Sequence, residues 1–146
     1  MKIIAEIANV HEGSELYLLN LVAAIIENNI QDVKFQYILP EEFGSKESNN
    51  YIEFKRLQIS EKYIKNTILP KLTNNRVYFD VFGKKSLHKV LELNHQFKQV
   101  IGVKFHSTNS MEFELLQKAA NDFEIVFISI SGLSAVEIFE LYEFIK

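Results

Sequence analysis

One rhythm constrains this chain more than any other feature: short runs dense in Ile, Val and Phe alternate five times with longer stretches of helical spacing. The runs Lys2–Ala8, Asp32–Gln36, Val77–Phe82, Val100–His106 and Glu124–Ser129 read as strands with little polar alternation. That pattern predicts strands covered on both faces. Between them, Ser14 is placed to cap a helix bearing Leu16, Leu19, Val22, Ala23 and Ile26, ended by Asn28-Asn29. Ser60 starts a second helix through Ile64 and Ile68, interrupted near Pro70. Ser86 opens Leu87–Phe97, and Ser110 or Met111 opens a helix through Leu115, Leu116 and Ala119. Ser134 and Glu137 have capping-box spacing at the head of a last helix. The longest connection is Tyr37–Gln58, whose polar part Ser45–Asn50 reads as a mobile loop.

Five βα units in succession predict a parallel α/β sheet with right-handed crossovers. Two architectures fit: a five-stranded doubly wound sheet, or part of a (β/α)₈ barrel with about five strands. The 146 residues suit a single domain, residues 1–146, and by length favour the first, since a whole barrel takes about 250 residues. The polar residues favour the second.

In both architectures ligands gather at the carboxyl ends of strands. There the first strand has Glu6 and then His11, the second Lys34 and Gln36, and the third Asp80. The fourth has Lys104 and His106 followed by Ser107 and Thr108, and the fifth Ser129 and Ser131 before Gly132. One charged residue in an apolar strand is ordinarily structural, but four on successive strands suggest a site. Two lysines with hydroxyls and a glycine turn suit a small anion such as phosphate or carboxylate. Glu6 and Asp80 could then accept protons or hold hydroxyl groups.

Other chemistries find less support. With no Cys, disulfides, thiol nucleophiles and thiolate metal sites are excluded. His11, His88, His95 and His106 lack metal-ligand spacing, and His88 and His95 read as solvated. GxxxxGK[ST], GxGxxG and GxSxG do not occur. A net charge of −3, from 16 basic and 19 acidic residues, argues against broad nucleic-acid capture. No apolar run reaches the ~20 residues that span a bilayer, and no signal peptide is recognisable, so a cytoplasmic location is expected.

These strand-end residues resemble the N-acetylneuraminate (sialic acid) synthase family and its pseudaminic and legionaminic acid relatives. The opening IIAEIANVHEGS (Ile3 to Ser14) looks like the family's I-A-E-I-G/A-x-x-H-x-G signature, and DVKFQ (Asp32 to Gln36) its second-strand motif. YFDVFGKKS (Tyr78 to Ser86) is similar to D-V-F-D-x-x-S, and VKFHST (Val103 to Thr108) to K-I-x-S. ISISGLSAVEI (Ile128 to Ile138) resembles the fifth-strand S-x-G-G/M-x-x-x-E-I pattern. The resemblance implies a barrel that condenses phosphoenolpyruvate with an N-acylated amino-sugar aldehyde. Lys34 and Lys104 would bind the phosphate or carboxylate, helped by Ser107 and Ser131. Asp80 would also line the substrate site, and Glu6 would sit by the reacting carbons with Gln36 nearby.

The resemblance also implies a divalent metal, Mn or Mg, whose two histidine ligands come from later strands that this chain lacks. Gly83 stands where the family has an acidic residue, and Leu133 where Gly or Met is common. The isolated chain is therefore expected to bind rather than to turn over substrate. Open strand edges predict a homo-oligomer or a complementing chain. The alternative functional reading is a non-catalytic α/β binding or assembly module, and a receiver-type regulator is disfavoured because no acidic pair follows the first strand.

Overall fold

A computed structural model describes residues 2–146. Strands β1 (Ile4–Ala8), β2 (Asp32–Gln36), β3 (Arg76–Val81), β4 (Val100–Phe105) and β5 (Ile125–Ile128) form one parallel sheet in the order β1-β2-β3-β4-β5. A doubly wound sheet reverses its strand order at a switch point. Here every crossover steps one strand in the same direction, so the doubly wound alternative falls and a partial barrel remains.

Right-handed crossovers in one direction place the helices on a single face. These are α1 (Glu15–Glu27), α2 (Asn49–Leu57), α3 (Glu61–Tyr63), α4 (Lys84–Gln96), α5 (Phe113–Asp122) and α6 (Ala135–Ile145). After α3 the chain runs through a π turn (Ile64–Ile68) and a 3-10 turn (Leu69–Lys71). The strands therefore do alternate, contrary to the expectation of little polar alternation and cover on both faces. Val33, Phe35, Val77, Phe79, Val81, Val103 and Phe105 belong to the core beneath the helices. Their neighbours Asp32, Lys34, Tyr78, Asp80 and Lys104 occupy the concave side.

Caps explain most helix starts. Ser14, Ser48, Ser60 and Ser134 each accept a backbone N–H three residues on. Ser48 caps a helix that takes in Asn49 and Asn50 from the run read as a loop, while Ser45–Ser48 stay outside it. Ser86 does not start α4: it lies buried at the third helical position, where its hydroxyl accepts from Phe82 N and Gly83 N. The first-turn donors of α4 are met from outside the helix, by Glu42 Oε1 at 2.9 Å from Lys85 N and 3.0 Å from Ser86 N. In α1 the buried face is Leu18, Val22 and Ile25, which keeps Val22 of the predicted stripe but leaves Leu16 and Ile26 exposed. A helix apolar on nearly every side leaves that choice to the tertiary packing.

The turn after β1 is pinned against α2. Gly13 has φ +81°, and a Cβ there would collide with the Arg56 carbonyl oxygen. Only glycine meets both conditions.

Candidate functional site

On the concave side, register places Glu6 beside Lys34, and the next level pairs Gln36, Asp80 and Lys104 across β2, β3 and β4. Asp80 Oδ1 lies 2.7 Å from Lys34 Nζ, and its Oδ2 lies 3.2 Å from Lys104 Nζ. Glu6 forms an ion pair with Lys34 from the other side. Asp80 and Lys34 are 2% and 8% exposed, so these are partly desolvated pairs whose partners must stay together. Four of the sequence-predicted residues, Glu6, Lys34, Asp80 and Lys104, are thus brought into one cluster.

Gln36 shares their level, and its Oε1 is buried without a hydrogen-bond partner. Ser107 and Ser131 lie on the loops after β4 and β5, Ser107 half-buried and Ser131 exposed. Among the described residues neither hydroxyl bonds a lysine of the cluster. His88 and His95 are exposed on α4, as expected.

Sequence reasoning missed two features. The first is an aromatic wall at the carboxyl rim: Phe82 and His106, each two residues beyond a charged member of the cluster, lie with ring centroids 5.6 Å apart. Phe43 packs on Phe82 from the β2–α2 connection. The sequence already placed His106 with Lys104, and period-2 spacing from Asp80 could have added Phe82 as its neighbour; Phe43 leaves no local signal. The second is a network at the amino ends of the strands. There Asp32 accepts from the Tyr78 hydroxyl and from Arg76, both at 2.6 Å, with Lys2 at 3.6 Å. Burial alone would raise the Asp32 pKa, but the Tyr78 hydroxyl and Arg76 outweigh it and hold the carboxyl below its usual value. Burial and the same pairing push the Tyr78 hydroxyl well above the ordinary tyrosine range.

The histidines and carboxylates do not assemble a metal centre. Among the described residues no three His, Cys, Asp or Glu side chains are placed to hold an ion. Glu6 and Asp80 are engaged by lysines, and His11 Nδ1 accepts from Gly13 N. Burial lowers the His11 pKa, which a backbone bond to Ala8 partly opposes, and so favours the neutral ring. The donor set does not fit the Mn or Mg that the resemblance implies. No helix of the described residues is long and apolar enough to cross a membrane.

No protein-family model matches the chain, and no curated protein matches it in sequence. Solved structures do. The N-acetylneuraminic acid (sialic acid) synthetase of Leptospira borgpetersenii, crystallised with citrate, superposes with a TM-score of 0.82 at 22% identity, over 98% of this chain and 49% of that one. The spore coat polysaccharide biosynthesis protein SpsE of Bacillus subtilis gives 0.72 at 18%, over 97% and 39%. A Chromobacterium violaceum protein assigned to spore coat polysaccharide biosynthesis gives 0.74 at 19%, over 97% and 44%. The chain spans about half or less of the structures it matches, and at these identities the likeness establishes its fold.

Proposed function

We propose that this chain forms half of the active site of a phosphoenolpyruvate-dependent synthase of the sialic acid type, acting on an N-acylated amino sugar. One observation carries the reading: two lysines from β2 and β4 converge on a single buried position at the carboxyl end of a barrel-ordered sheet. A substrate carrying both phosphate and carboxylate needs fixed cations in a site of low water content. Lys34 and Lys104 supply them, and the hydroxyls of Ser107 and Ser131 add donors once the loops close on the anion. Glu6, the most exposed member of the cluster, is placed to accept a proton from an attacking water or hydroxyl. Gln36 offers its unpartnered oxygen to a sugar hydroxyl. The citrate bound by the Leptospira protein accords with an anion site on this fold. Mn or Mg would be held by residues outside this chain, and no step assigned to these residues runs through it. The work belongs to a cytoplasmic pathway of carbohydrate biosynthesis.

Completion of the barrel belongs to the same proposal. Thirteen large hydrophobic side chains stand exposed among the described residues, and all but Ile52 lie in the first or last βα unit. Leu16 and Tyr17 mark one face, and Val136, Phe139 and Tyr142 the other. These faces flank the two open strand edges, β1 and β5, where further βα units would pair.

Calorimetric titration of the 146-residue chain with phosphoenolpyruvate tests the reading. Binding is expected in the wild type and lost in Lys34→Ala and Lys104→Ala. A folded chain giving no heat at millimolar ligand would favour a non-catalytic assembly module instead.

A further inference from the structure

The cluster on the concave side is electrically closed. Lys34 and Lys104 bring two positive charges, and Glu6 and Asp80 bring two negative ones, with every member in an ion pair. Asp80 gives one oxygen to each ammonium, which is how a ligand's carboxylate or phosphate would bridge the same two groups. Among the described residues its carboxylate has no other hydrogen-bond donor. Asp32, at the opposite end of the sheet, differs in being held also by the Tyr78 hydroxyl. A pair of lysines already bridged by an internal carboxylate attracts an incoming anion far less than a bare pair does.

We propose that Asp80 sets the charge of the ligand this site accepts, by occupying with its own carboxylate the anion seat between Lys34 and Lys104. The inference rests on reading that lysine pair as an anion seat. A dianion must displace Asp80 or share the lysines with it, so the wild-type chain binds small anions more weakly than an unbridged lysine pair would. Ligands that bring a hydrogen-bond donor of their own to Asp80 are favoured over bare anions. Asp80 is thus a specificity-determining residue and not a ligand for the phosphate.

The test is titration with inorganic phosphate and with phosphoenolpyruvate of the wild type, Asp80→Asn, Glu6→Gln, Lys34→Ala and Lys104→Ala. Removing one negative charge beside the seat is expected to tighten anion binding on the order of tenfold in Asp80→Asn. Glu6→Gln, changed at the more exposed carboxylate, is expected to tighten it by several-fold. Phosphate should also raise the melting temperature of Asp80→Asn more than that of the wild type. If Asp80→Asn folds only when phosphate is present, that rescue supports the proposal. If it does not fold even then, Glu6→Gln decides, and unchanged or weaker binding there overturns it. Anion binding that depends on both lysines but is equal or weaker in folded Asp80→Asn refutes the role of Asp80 alone. No binding in any variant refutes the anion seat itself.

Discussion

The start of α4 carries a consequence for stability that can be worked through from its contacts. Gly83 at the N-cap has no side chain to offer, and Glu42 reaches in from the β2–α2 connection to accept from Lys85 N and Ser86 N. Truncation to Glu42→Ala removes both bonds. Loss of a helix cap costs about 1 kcal/mol, and loss of a negative charge at a helix N-terminus about 0.5 kcal/mol more. Water can replace the carboxylate at the exposed Lys85 amide but less readily at buried Ser86, so the sum is about 1.5 kcal/mol. For a chain of this size that lowers the melting temperature by about 5 °C, readable by circular dichroism. The family resembled in sequence has an acidic residue where Gly83 stands. Its φ of −180° is open to any residue, and an added Cβ would meet chiefly the flexible end of Glu42, at 2.7 Å. Gly83→Asp should therefore restore most of the loss in the Glu42→Ala background and give little in the wild type. The coupling expected from that double-mutant cycle is about 1 kcal/mol. Equal effects of Gly83→Asp in both backgrounds, or an unchanged melting temperature in Glu42→Ala, would refute the shared-cap reasoning.

Other outcomes follow from single contacts. Gly13→Ala should cost more than about 2 kcal/mol in urea unfolding, because a positive φ and a collision with the Arg56 backbone act together; a milder loss would mean the loop moves freely off α2. Asp32→Asn should lose about 1.5 kcal/mol at neutral pH through its weakened bonds to Tyr78 and Arg76. Because the folded pKa of Asp32 lies below its ordinary 3.8, its stabilisation is present above that value and is lost as pH falls through the lower one. The variant should thus show a shallower loss of stability below about pH 4, and an acid limb parallel to the wild type's would contradict the pairing. Phe139→Glu with Ile145→Glu, both on the exposed face of α6, should suppress concentration-dependent association in sedimentation velocity without changing the helical signal. A wild-type chain that stays monomeric at high concentration would argue against association through that face.

Much of this was legible in the sequence because strands and their charged ends are local features. The five strands fall within the predicted runs, apart from the start of β3 at Arg76, and the charges Glu6, Lys34, Asp80 and Lys104 meet as their positions suggested. The choice between barrel and doubly wound sheet was not local: it depends on strand order, which five similar βα units do not encode individually. Alternation was obscured because the concave face mixes charged residues with Tyr78, Gly102 and Phe127, so β3 and β4 read as nearly all apolar. Helix α2 was hidden behind Gly44 and a polar run in which Ser48 is a cap and not a loop residue. Glu42, Asp32 and Phe43 act through partners at least about forty positions away or on another element, and no spacing rule reports such contacts.

The concave face holds its charges in two levels with different physical roles. At the amino ends, Asp32 is shared by Arg76, Lys2 and the Tyr78 hydroxyl, and it is 2% exposed. At the carboxyl ends, Asp80 is equally buried but among the described residues bonds only to Lys34 and Lys104. In barrels the amino-end face serves stability and the carboxyl-end loops carry chemistry, and the pairing follows that division. A carboxylate bonded at 2.6 Å by both a hydroxyl and a guanidinium ties β2 to β3 more tightly than ammonium groups alone would. A carboxylate held by two ammonium groups alone can be exchanged for a ligand's, because the ligand restores to each lysine what it gives up. The same pairing lets the five strands keep a charged concave face, since a buried lysine is tolerated only beside its counter-charge. Stability of the sheet and the anion binding proposed for it thus draw on the same four side chains, and a substitution that frees the lysines for an anion must also loosen the sheet that presents them.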